Sequence, residues 1–150
     1  MKVIVRKLKD IHKKFSKKEK VKKILKKKNP EIYRVYVKKL DGDFVVGKTV
    51  IKPGQIGGEY YMTKGHRHKI QIPEVYILEK GKGNLILQNK KAKMINMKKN
   101  IPIIIPGKSA HRLVNTGKNK LEVLTIYSKK SGHSYNVKFK KKVVKNESNE

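Results

Sequence analysis

Short runs rich in β-branched and aromatic residues, set off by polar turns, fill the chain from Glu31 onward. They read EIYRVYVKKL, FVVGKTVIK, EVYILE, NLILQ, KMINM, IPIIIP, HRLVN and LEVLTIY. Valine, isoleucine, tyrosine and threonine suit a pleated, half-buried surface, and a period of two puts every second side chain on one face. Between the runs stand turn-formers: Asp41-Gly42-Asp43, Gly81-Lys82-Gly83, Lys98-Lys99-Asn100 and Thr116-Gly117. Many short strands joined by tight turns predict an all-β antiparallel sandwich or barrel. Asn136 to Val144 is expected to add a last edge strand, whose lysines discourage edge-to-edge association.

The first 30 residues follow a different period. Ser16-Lys17-Lys18-Glu19 matches a capping box, in which the serine hydroxyl and the glutamate carboxylate satisfy orphan backbone donors. Val21, Ile24 and Leu25 follow at helical spacing, and Asn29-Pro30 stops the segment. The expectation is a basic helical leader over 1–30, with one amphipathic helix on the outside of the domain. A barrel over 31–145 follows, and then a tail over 146–150, NESNE, which frays for lack of an apolar anchor. No repeat or linker interrupts the pattern, so 150 residues make one domain around one core.

The chain has no cysteine, which excludes disulfides and thiolate metal sites. No stretch approaches membrane-spanning length, and MKVIVRKLKD has too short an apolar run for a secretory signal, so a cytoplasmic protein is expected. Lysine and arginine number 40 against 11 acidic residues, a net charge of +29. Only Arg6, Arg34, Arg67 and Arg112 are arginines. Base readout and bidentate phosphate clamps favour arginine. The lysines therefore read as a bias spread over exposed faces, touching nucleic acid only non-specifically through charge.

The chemistry concentrates in two segments, GHRHKIQIPEVYILEKG and IPGKSAHRLVN. His66 and His68, at i and i+2, point to one face of an extended strand. With Glu74 and His111 they offer three imidazole nitrogens and one carboxylate oxygen, a set that suits a divalent metal: iron, nickel, zinc or manganese. Glu74 taken alone also fits a surface pair with one of many lysines. Glu74 and Tyr76 share a face by parity, as do His133 and Tyr135 if GHSY is extended.

The His66-x-His68 pair, Glu74, and Gly81 with six residues between it and Glu74 resemble the first motif of the cupin superfamily. Pro106, His111 and Asn115 resemble the second, with Asn100 in place of its first glycine and Gly107 one place early. Within that superfamily the chain is similar to the cupin-type glucose-6-phosphate isomerases. NPEIYRVY, PGQIGGEYYMTKGHRH, EVYILEKGKGNLILQ and LTIYSKKSGHSY carry the resemblance, over about Pro30 to Tyr135. It implies a double-stranded β-helix barrel and a metal, iron first, held by His66, His68, Glu74 and His111. It also implies a sugar-phosphate pocket of Tyr33, Thr49, Thr63, Gly65, Tyr76, Tyr127, His133 and Tyr135, with a homodimer as the assembly.

The implied reaction interconverts glucose 6-phosphate and fructose 6-phosphate. Glu74 would act as base and His133 as the group that opens the ring; an enediol and a hydride shift both remain open as routes. Other cupin chemistries compatible with the same residues are a metal-dependent dioxygenase and a non-catalytic sugar- or nucleic-acid-binding module. Two departures from the family stand out. Five residues separate His68 from Glu74, one fewer than the family's pattern, with Pro73 directly before the glutamate. Lys108 replaces an aromatic residue.

Overall fold

The computed structural model describes residues 1–145. In chain order the elements are β1 (Lys2–Lys7), α1 (Leu8–Ile11), α2 (Lys18–Leu25), β2 (Glu31–Lys39), β3 (Phe44–Ile51), β4 (Gln55–Ile56) and β5 (Glu59–Tyr60). Then come β6 (Glu74–Lys80), β7 (Gly83–Gln88), β8 (Ala92–Asn96), β9 (Ile103–Ile105), β10 (Ala110–Asn115) and β11 (Leu121–Ser128). A six-stranded sheet runs in the order β1-β2-β3-β11-β6-β9, a three-stranded sheet in the order β10-β7-β8, and β4 and β5 form a short ribbon. Neighbouring strands within each sheet are antiparallel. Ile32, Ile51, Leu85, Ile86, Ile105, Leu113 and Leu121 are all at most 2% exposed and fill the core between the sheets. The all-β class and jelly-roll arrangement of the sequence reading hold.

The leader departs from a purely helical segment. KVIVRK alternates as a strand, and β1 pairs with β2 from Lys2↔Val37 to Lys7↔Glu31, with a bulge between Arg6 and Lys7. Its lysines made it look like part of a solvated helix, whereas the period of two was the stronger signal. Two short helices and a 3-10 turn at His12–Lys14 follow, in place of one helix. Leu8, Ile11, Phe15 and Val21 are buried, so the leader plugs into the core rather than resting on it.

The capping box is also replaced. Lys17 is the N-cap of α2, without a side-chain cap, and the Ser16 N–H donates to Glu59 Oε1 at 2.9 Å. A tertiary carboxylate outcompetes the local one, and Glu19 turns outward to Lys22 at 3.4 Å. Asp10 does cap the chain locally, accepting the Lys7 N–H at 2.7 Å.

Asn136 to Val144 forms no edge strand. It crosses the barrel as an irregular strap, touching the ribbon by a single bridge between Glu59 and Val144. Side chains and isolated backbone bonds tie it down: Gln88 donates to Lys138 O and accepts from Lys140 N, both at 2.8 Å, and the Tyr60 N–H donates to Val143 O at 3.1 Å. Only Val137, Phe139, Val143 and Val144 are apolar in this lysine-rich stretch, too few for a continuous buried face. The expected frayed tail, 146–150, lies outside the described residues.

Candidate metal and sugar-phosphate site

Three pieces of backbone carry the histidine cluster. His66 and His111 pair across an isolated antiparallel bridge, His66 N–H to His111 O at 3.1 Å and His111 N–H to His66 O at 2.9 Å. His68 follows on the same extended stretch, and Glu74 opens β6, anchored opposite Ile105 of β9. The ligand atoms of His66, His68, Glu74 and His111 all lie within 4.8 Å of one another. His66 Nε2 is 3.3 Å from His68 Nε2 and 2.9 Å from His111 Nε2; His68 Nε2 is 3.3 Å from Glu74 Oε1, which also meets His111 Nε2.

The shortened segment between His68 and Glu74 still aims the carboxylate inward. Glu74 is 3% exposed. Gly107 explains how the loop fits: a Cβ there would stand 2.4 Å from the Gln71 carbonyl carbon, so only glycine lets the loop approach this closely. Lys108 beside it is exposed and does not line the pocket. Asn100, at the position of the motif's first glycine, has φ +62°, a left-handed conformation that asparagine tolerates better than most side chains.

The donor chemistry fits a divalent first-row metal. His111 Nδ1 is 3.2 Å from Ser109 O, a carbonyl placed to accept from that nitrogen and to orient the ring with Nε2 toward the cluster. Burial is the largest cause that holds His66 well below its ordinary range; His111, His133 and His68 add to it. Burial likewise lowers His68 and His133. Burial thus favours the neutral form of these three imidazoles, the form that binds a metal. Glu74 Oε1 is buried without a well-formed hydrogen bond. Lone pairs converging on one point around an unsatisfied carboxylate oxygen are what a cation relieves.

The cluster opens into a pocket of about 110 Å³. Tyr33, Thr49, Thr63, Gly65, Tyr76, Tyr127, His133 and Tyr135 all line it, as do His66, Glu74 and His111, while His68 sits behind them. His133 stacks edge-on to His66 with ring centres 4.5 Å apart. Tyr33 OH accepts the Lys64 N–H at 3.2 Å, and Thr63 Oγ1 accepts the Leu113 N–H at 3.0 Å. Burial raises Tyr33, Tyr127 and, most strongly, Tyr76, so these phenols stay protonated and able to donate.

The sequence reading missed Arg6, which lines the pocket together with Ile4, two residues before it on β1. The alternation in KVIVRK is the signal that would have found it. It missed Arg112 as well, whose Nε and Nη2 donate to the carbonyls of Thr63 and Lys64, each at 3.0 Å, just ahead of Gly65-His66.

The family model described as glucose-6-phosphate isomerase (GPI) matches residues 6–146. The chain belongs to the glucose-6-phosphate isomerase family. It is 38% identical over 137 residues to the glucose-6-phosphate isomerase of Thermococcus litoralis, covering 87% of this chain and 72% of that one. The Pyrococcus furiosus enzyme of the same name is 37% identical over 137 residues, with the same coverage. Among solved structures, the chain is similar to the oxalate decarboxylase of Lactobacillus farciminis in complex with formate. That match has a TM-score of 0.56 and 19% identity over 68% of this chain and 30% of that one. Oxalate decarboxylase of Bacillus subtilis, studied for its Mn(II) centres, gives a TM-score of 0.55 and 21% identity over 69% and 27% of the two chains. At such identities the likeness is one of fold, the cupin barrel, and the family membership rests on the closer isomerase relatives.

Proposed function

We propose that this protein interconverts glucose 6-phosphate and fructose 6-phosphate, with a divalent metal, iron first, held by His66, His68, Glu74 and His111. One observation supports it above the others: in a chain of this family, the four-donor cluster opens directly into a pocket of hydroxyls and one guanidinium. When bound, the metal would offset negative charge developing on the sugar's oxygens. Every other task falls to side chains of this protein.

Glu74 is the base. Its carboxylate takes the proton from C2 of the open-chain aldose, leaving an enediolate with charge on O1; the hydroxyl proton passes from O2 to O1, and the carboxylic acid returns its proton to C1 to give the ketose. His133, at the mouth of the cluster, opens the ring by moving the proton of the anomeric hydroxyl. Tyr76 and Tyr127, kept protonated by burial, donate to the sugar's oxygens. Arg6, Tyr33, Thr49, Thr63, Tyr135 and the Gly65 N–H hold the phosphate; a guanidinium suits it because its planar donors match two phosphate oxygens.

Exposed Val3 and Val5 on the free edge of β1 support a homodimer closing that edge, which sedimentation of the purified chain checks. No helix among the described residues is long and apolar enough to cross a membrane, consistent with a place in cytoplasmic glycolysis and gluconeogenesis. A coupled isomerase assay on chelator-treated protein, with iron, nickel, manganese and zinc added back in turn, tests the whole reading. Activity lost with the metal and restored by one of these ions supports it. Full activity after chelation refutes the metal, and silence with every ion refutes the isomerase.

A further inference from the structure

A second cavity, of about 730 Å³, lies beside the sugar-phosphate pocket; Tyr135 lines both. Its walls come from parts distant in sequence: Asp10 to Lys14 of the leader, Glu59 of β5, Lys64, Arg112 of β10, and the strap from Tyr135 to Lys142. Six cationic side chains line it, from Lys13, Lys14, Lys64, Arg112, Lys138 and Lys142, against the carboxylates of Asp10 and Glu59. Both carboxylates already accept backbone N–H groups, from Lys7 and Ser16, and neither forms an ion pair with these cations.

Two of the cations are built in rather than left on the surface. Arg112 is 6% exposed, lies 4.3 Å over the Phe139 ring, donates to two carbonyl oxygens, and has the Glu59 carboxylate as an attracting charge in the same cavity. Lys14 Nζ reaches the carbonyls of Tyr135 at 3.0 Å and Val137 at 3.4 Å. Carbonyl dipoles orient a cation without neutralising it. Burial first, then Arg112 and Lys64, hold the Lys14 ammonium below its usual range, which shows that these charges repel one another. A merely lysine-rich composition scatters its cations over convex, solvated faces. Here they converge on a concavity, where fields from one sign of charge add and a multiply charged anion relieves them.

We propose that this cavity is an anion site for a compact polyanion of the pyrophosphate or polyphosphate class. The reading does not rest on the isomerase activity: Tyr135 borders both cavities, but neither the histidine cluster nor Arg6 takes part in this one.

Inorganic pyrophosphate titrated calorimetrically into the full chain at about 0.15 M salt, where long-range surface attraction is largely screened, is the test. One saturable site is expected. Lys13→Glu with Lys142→Glu reverses two exposed wall charges and should weaken binding at least about tenfold, the scale of one or more charge-assisted contacts. Lys27→Glu with Lys28→Glu, an equal charge change beyond the end of α2, should leave the affinity within about twofold, since distant charges are screened. Equal weakening by both pairs identifies bulk charge and overturns the proposal. So does heat unchanged by the wall pair, which would come from elsewhere, such as metal drawn from the histidine cluster. A thermal melt confirms that each variant folds, and the single change Lys138→Glu replaces the wall pair if that pair does not.

Discussion

Replacing Gly65 by alanine separates two forces that hold the loop in front of His66. Gly65 has φ +77°, and an L side chain in that left-handed region costs about 1–2 kcal/mol. The new Cβ would also stand 2.4 Å from Phe139 Cε2 and 2.8 Å from its Cζ, so the ring must leave. Leaving breaks its stack on Arg112, 4.3 Å from ring centre to guanidinium carbon. That contact is worth about 1 kcal/mol when partly desolvated. The whole change then comes to about 2–3 kcal/mol. In a Phe139→Ala background the ring is already gone and only the backbone part remains. Gly65→Ala is therefore expected to cost about 1 kcal/mol less there than in the parent. Urea unfolding of the parent, both single variants and the double variant measures this coupling, each fitted as a two-state transition. Isomerase rates on the same four proteins report whether a displaced strap also disturbs His66. A coupling energy within about 0.3 kcal/mol of zero refutes the reasoning, because such values mark sites that do not touch. The strap would then not rest on Gly65.

Arg6→Ala should raise the KM for the sugar phosphate about tenfold or more with little change in kcat, the loss of one charge-assisted contact made equally before and during reaction; an unchanged KM removes Arg6 from the phosphate end. Glu74→Gln should lower kcat by about 10²–10⁴ and abolish deuterium uptake at C1 or C2 in heavy water, followed by proton NMR. If the parent enzyme takes up no deuterium at any extent of reaction, Glu74 carries no proton and a hydride shift replaces the enediol. Asn100→Val should destabilise by about 1–2 kcal/mol, since a β-branched residue meets the left-handed penalty in full. Asn100→Gly should melt close to the parent; a matching loss in both variants would sink the backbone explanation.

The site was legible because its signals are local. Parity along EVYILE puts Glu74 and Tyr76 into one cavity, and His66-x-His68 states its own geometry once the segment is extended. The barrel was legible too, since β2, β3, β6 and β11 are long β-rich runs set between turn-formers, whereas the two-residue strands β4 and β5 carry no such signal. The leader and the strap were not, for a common reason: both are dominated by lysine, whose weak helical propensity tertiary packing readily overrides. In β1 the alternation was present and was outweighed by charge. For Ser16 the local rule was satisfied in sequence and lost to Glu59, a residue 43 positions away, and no local pattern announces such a partner. Arg112 reaches back 49 and 48 positions to Thr63 and Lys64 and was invisible on the same grounds.

The distribution of charge bears on how a chain of +29 could hold the proposed metal cation. Among the described residues lining the sugar-phosphate pocket, Arg6 is the one permanently charged cation. Burial favours the neutral form of His66 and His68, and Glu74 is the cluster's one acidic side chain. The cations that could have crowded it are displaced behind Tyr135 into the neighbouring cavity or turned to solvent. The proposed site, taking a divalent cation and a phosphate together, would need this segregation: excess positive charge beside the donors repels the metal, and excess negative charge repels the phosphate. One guanidinium at one end and one carboxylate at the other meet both needs. The lysines beyond the walls are left to steer anionic substrate inward, an effect that shortens with rising salt.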